Sequence, residues 1–105
     1  MARTALAYED QRGAPRDEVY HRARATRADG SPLALLIVNL SAMGLMARCD
    51  FDLPIGERLK VTLPVVGPVL AEVRWSLGGR IGCELDRTIA LADYYDLLAV
   101  MAKGR

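Results

Sequence analysis

Histidine, tryptophan and phenylalanine each occur once in this 105-residue chain, and cysteine only twice. The lone histidine, His21, falls within an alternating stretch and has no serine or cysteine motif to work with. No G-x-S-x-G, H-E-x-x-H or phosphate-loop pattern occurs, and the carboxylates are spread over turns and outward positions. No enzymatic activity is expected. Cys49 and Cys83 are far apart and in no C-x-x-C arrangement, so they carry no metal signature. Each sits among apolar residues, where a reduced thiol serves as a small core side chain. No run approaches the ~20 apolar residues of a membrane span, and the start of the chain is too weakly apolar for a signal peptide. A cytoplasmic location without membrane insertion is the expectation. The net charge of +1 gives no bulk attraction to nucleic acid. The six aromatics, several at core-facing or helical positions, make a poor stacking platform for single strands. A nucleic acid polymer is therefore not an expected partner.

What is present is a barrel-like pattern. Half of the residues are hydrophobic and about a quarter charged, as in globular proteins, and the length leaves room for one domain. Residues 1–11 lack periodicity and read as a leader. Residues 12–17 contain Gly13 and Pro15, which deny them a helix and make an arm. Alternation over Glu18–Ala28 places Val19, His21, Ala23 and Ala25 on one face and Tyr20, Arg22, Arg24 and Thr26 on the other. Leu33–Leu40 is apolar nearly throughout, as in a central strand covered on both sides. Leu45–Cys49 is a short strand. In Arg58–Leu63, Leu59, Val61 and Leu63 point inward. Val69–Leu77 puts Val69, Ala71, Val73, Trp75 and Leu77 on one face, which makes core packing the expected role of Trp75. Gly78-Gly79 reads as a two-residue hairpin turn, followed by Arg80–Asp86. Within that strand Gly82 faces outward, which signals a bulge or a close backbone approach. Glu72 and Glu84 are positioned for exposed cross-strand pairs with Arg80 and Arg74.

Past Thr88 the period changes. Leu91, Tyr94, Tyr95, Leu98 and Met101 recur at helical spacing and are expected to face the barrel over residues 89–103. Asp93 and Asp96 suit the helix start, Lys103 its end, and Gly104 a C-cap. Six short strands and one helix predict a mostly β fold, a small six-stranded antiparallel barrel over 18–87 with a C-terminal α-helix. The whole of 12–105 forms one domain. Leu70 and other outward apolar residues are candidates for a contact surface.

Two polar features stand out from this frame. Arg12-Gly13-Ala14-Pro15-Arg16 carries two arginines on a non-helical arm, where both guanidinium planes can fork onto phosphate or a guanine edge. Arginine outnumbers lysine twelve to two, though GC-rich coding gives the same bias. Asn39-Leu40-Ser41-Ala42-Met43-Gly44 interrupts two apolar runs. It is either a tight turn, with Asn and Ser bonding to backbone and Gly supplying a positive φ, or the lining of a ligand site.

Together, R-x-x-x-R followed by N-x-S-x-x-G resembles the paired signature of the PilZ domain family. Leu53-Pro54-Ile55-Gly56-Glu57, Glu72-Val73-Arg74-Trp75 and Arg80–Leu85 are similar to further parts of its pattern, so the likeness spans roughly residues 12–100. The resemblance implies a six-stranded barrel with a C-terminal helix that binds the bacterial second messenger cyclic di-GMP, with no other cofactor and no metal. It implies that Arg12 and Arg16 clamp guanines and phosphates while Asn39 and Ser41 hydrogen-bond a guanine. Gly44 would allow close backbone approach. Ordering of the arm would relay the signal to a downstream effector protein. Gln11 stands where some members have another arginine that holds a second stacked ligand, which tilts the expectation toward one molecule per domain. The alternative is a PilZ-fold interaction module that does not bind nucleotide.

Overall fold

Period-two alternation over five of the six strands leaves each with one apolar face, and closing the sheet lets all of those faces share one core. The computed structural model describes residues 15–102. Six strands, β1 (Asp17–Thr26), β2 (Pro32–Leu40), β3 (Gly44–Arg48), β4 (Arg58–Leu63), β5 (Gly67–Leu77) and β6 (Arg80–Leu85), precede one helix, α1 (Leu91–Ala102). Every strand pairing is antiparallel, and the order β1-β2-β3-β6-β5-β4 closes on itself through β1 and β4. Closure removes the unpaired sheet edges that would otherwise invite association. Ile37, Leu40, Leu59, Val61, Val73 and Ile81 are fully buried at its centre. Each such side chain contributes about 1.5–3 kcal/mol relative to exposure.

The turns follow from residue chemistry. Gly78 and Gly79 both have positive φ (62° and 79°), as a primed hairpin turn requires. Gly56, at φ 93°, lets its N–H reach the Val73 carbonyl at 2.7 Å. Glu57 beside it forks onto Arg27, with bonds of 2.8 and 3.0 Å to the guanidinium, and also accepts the Ala28 N–H. The Arg27 hydrogen bond holds the Glu57 carboxyl below its ordinary value.

Three sequence expectations are corrected. Trp75 and Leu77 do not face the core. The register shifts between Val73 and Trp75, so two steps on β5 match one step on β6. The extra residue turns both side chains outward, leaving Trp75 40% and Leu77 77% exposed. The helix presents Tyr94, Leu97 and Met101 to the barrel, with Leu98 partly buried, while Leu91 and Tyr95 face outward. Tyr94 turns to the barrel because its hydroxyl finds polar partners there, Asp17 and the Leu40 carbonyl. Lastly, β2 is covered by the core on one side only. Ala34 is exposed and Leu36 and Val38 half-buried on the outer side. Of the expected cross-strand pairs, Arg74 meets Glu84 at 3.1 Å and Glu72 at 3.8 Å. Arg80 makes no ion pair with a carboxylate of the described residues.

Candidate functional site

Strict alternation along β2 would send Asn39 inward with Leu33, Leu35 and Ile37. That does not happen. Between Ile37 and Asn39, two steps on β2 match one step on β3, and between Glu18 and His21 three steps on β1 match two on β2. Two bulges thus flank the same spot. The extra residue, Val38, reverses the phase, so Leu40 is fully buried and Asn39 is left half-exposed on the outer wall. Bulges of this kind commonly re-aim a side chain beside a functional site. Asn39 lines a shallow depression of about 380 Å³ with Glu18, Val19, Tyr20, Val38, Met46, Arg48 and Arg80.

Ser41 does something different. It is buried, and its Oγ accepts the N–H groups of Met43 (3.2 Å) and Gly44 (3.0 Å). The Ser41 N–H in turn donates to the Gly44 carbonyl at 2.9 Å. Both lone pairs of the hydroxyl are therefore engaged in shaping the turn. Its O–H has only a 3.4 Å contact with the Gly44 carbonyl, a weak bond that can be redirected. The Met43 and Ala42 carbonyls accept from Leu85 and Ile89, so the turn is tied to β6 and to the segment leading into α1. Gly44 does not have the positive φ that a turn reading suggests. It is needed for space, because a Cβ there would lie 2.6 Å from the Cys83 carbonyl oxygen on β6. The close approach is between strands.

Arg16 is exposed immediately before β1. Asp17 pairs with Leu40 in register, so the next step of the ladder brings the backbone of Arg16 toward Ser41. The base of the arm and the polar turn are thus neighbours. Arg12 lies outside the described residues. Tyr94 secures the junction: its hydroxyl is 2.7 Å from Asp17 Oδ2 and 2.9 Å from the Leu40 carbonyl. Burial, and then the Asp17 carboxylate, push the Tyr94 phenol above its ordinary value, so it stays a proton donor. The sequence pointed to Tyr94 only as a helix-face residue. Its polar role depends on a partner 77 positions away.

A further row crosses the wall from Asn39 through Met46 and Gly82 to Trp75, which are successive register partners on β2, β3, β6 and β5. The indole lies against Gly82, whose missing Cβ would overlap Trp75 Nε1 and Cε2. The close approach expected at Gly82 is thus made by a side chain, which also buries that glycine. The Asn39 depression and the indole share one face, about 14 Å apart at three strand spacings.

Little else offers chemistry. Cys49 and Cys83 are free and buried, and burial pushes the Cys83 thiol up to about 12, which makes it a poor nucleophile. No group of three His, Cys, Asp or Glu among the described residues is arranged to hold a metal. Nor is any described helix long and apolar enough to cross a membrane. No protein-family model matches the chain, and no curated protein matches it significantly.

Proposed function

We propose that this protein is a PilZ-type receptor for cyclic di-GMP, without catalytic activity, acting in the cytoplasm of a bacterium. The observation that carries the reading is the β2 bulge at Val38. It spoils an otherwise regular strand, and its effect is to present Asn39 on the outer wall two residues before a rigid turn and beside the base of the arginine-bearing arm. An amide offers both a donor and an acceptor to a guanine edge. Arg12 and Arg16 supply charge for the phosphates and planes for stacking on the bases. The weakly held Ser41 proton can turn from Gly44 to the ligand, while Gly44 keeps β3 close against β6.

In this reading the turn is the fixed half of the site and the arm is the half that responds. Closure of the arm over the nucleotide changes the surface that an effector protein meets. The chain's one tryptophan, Trp75, stands exposed on the same wall, where its emission serves as a probe of ligand binding. Titrating cyclic di-GMP should change Trp75 emission saturably at about micromolar ligand, and Arg16→Ala should move the change to at least about tenfold more ligand. An unchanged emission, together with no detectable heat of binding, contradicts the proposal. It then favours the alternative of an interaction module on the same fold.

A further inference from the structure

The outer wall of the barrel carries a second feature, farther from the turn. Arg22 pairs with Leu36, Leu36 with Arg48 and Arg48 with Arg80, so one row across β1, β2, β3 and β6 holds three arginines. All three are exposed, as is Arg24 next along β1. Arg48 and Arg80 stand directly opposite each other, and like charges so placed destabilise a sheet. The same sheet shows how such a pair is normally relieved. Glu72 and Glu84 are also register partners, and Arg74 sits within salt-bridge distance of both. Among the described residues no carboxylate does this for Arg22, Arg24, Arg48 or Arg80.

Between the arginines the wall is concave and mixes apolar with polar side chains. Leu36 and Val38, on the uncovered side of β2, and Met46 of β3 are half-buried on it. Two depressions share Arg48: the one of about 380 Å³ beside Asn39, and another of about 520 Å³ lined by Arg22, Arg24, Leu36 and Asp50 among others.

We propose that this wall docks an extended acidic segment of a partner protein. Its carboxylates pair with Arg22, Arg48 and Arg80, and its apolar side chains fill the depressions over Leu36, Val38 and Met46. Hollows suit side chains, whereas a bilayer is engaged by protruding ones. A second copy of this chain would bring arginines against arginines, which repels. Glu18 lines the depression beside Asn39, and Asp50 lines the one beside Arg22 and Arg24. Carboxylates at both ends disfavour a long, uniformly anionic polymer and suit a short segment. An extended chain repeats same-side residues every ~7 Å. The three arginine backbones are spaced about 10 and 5 Å across the strands, distances that flexible guanidinium stems can bridge. Arg12, Arg16 and Ser41 have no part in this contact, whereas the depression beside Asn39 is common to it and to the proposed nucleotide site.

Fluorescence anisotropy of a labelled peptide of alternating Glu and Val tests it, with a Gln-for-Glu peptide and phosphatidylglycerol vesicles as the other arms. The Glu peptide should bind and the Gln peptide should not. Arg48→Glu should weaken binding about tenfold or more, as loss of a charge-assisted contact implies. Because the new carboxylate faces Arg80, the melting temperature of Arg48→Glu should hold or rise. Arg22→Gln with Arg80→Gln is a companion variant without charge reversal and should also lose the peptide. Equal binding of the Glu and Gln peptides, or binding insensitive to both arginine variants, overturns the proposal. So does arginine-dependent binding of the vesicles but not of the peptide, and so does a clear loss of stability in Arg48→Glu.

Discussion

At the scale of single residues, Asn39 and Ser41 look alike in sequence and differ in the folded chain. The Ser41 hydroxyl organises two backbone N–H groups in a buried turn, whereas Asn39 makes no side-chain hydrogen bond among the described residues. Replacing Ser41 with Ala leaves the Met43 and Gly44 donors without that acceptor, a loss of about 1–3 kcal/mol. Asn39→Ala removes no such partner and should change stability by less than about 0.5 kcal/mol. Urea unfolding of the two variants measures the difference; equal losses would mean that Asn39 is also structural. The two polar positions were legible in the sequence. Their division of labour was not, because it depends on which way each side chain points. Trp75 teaches the same lesson, since one extra residue after Val73 turned its ring from the core to the surface.

Among the elements, the junction of β1, β2 and α1 ties the candidate site to the rest of the barrel. Tyr94 has one phenolic proton and two acceptors, Asp17 Oδ2 and the Leu40 carbonyl. It donates fully to only one of them at a time, so a shift of the arm next to Asp17 changes what the helix holds. Tyr94→Phe keeps the ring and removes the bond, at a cost of about 1 kcal/mol. Hydrogen exchange should then rise at the start of β1 and around Leu40, ahead of the middle of the sheet. Uniform acceleration across the barrel would show that Tyr94 matters only for packing. The element order, the Gly78-Gly79 hairpin and the helix could all be read from periodicity and turn chemistry. The bulges in β1 and β2 could not, since no residue type there marks an inserted strand residue. The irregularity between β5 and β6, by contrast, falls at Gly82, whose place in the strand does signal a bulge or a close approach. The bulges in β1 and β2 set where Asn39 points.

For the molecule as a whole, closure of β1 against β4 is the thinnest part of the barrel, with only Ala25–Val61 and Thr26–Lys60 in register. The Arg27–Glu57 pair sits just beyond this seam, since Arg27 follows β1 and Glu57 precedes β4. Because folding lowers the Glu57 value, the pair's contribution is fully present above the unfolded-state value near pH ~4.3. It is lost as pH falls through the lower folded-state value. Wild type should therefore lose more stability than Glu57→Gln on acidification below about pH 4.3. Parallel acid-unfolding curves would show that the bond contributes nothing to closure. The six-stranded closed barrel agrees with the alternation and strand count expected from sequence. The one-sided cover of β2 is not legible in the sequence, because a continuous apolar run reads the same whether one face or both are covered.

The most direct test of the central claim is a calorimetric titration of the full-length protein with cyclic di-GMP, repeated with Arg16→Ala and Asn39→Ala. We predict saturable binding at about micromolar ligand, with one molecule per domain. Arg16→Ala should weaken it by at least about tenfold, the scale of a lost charge-assisted contact. Asn39→Ala should also bind more weakly while remaining folded. Absence of binding by the folded wild-type protein, or affinity unchanged in both variants, would contradict the account.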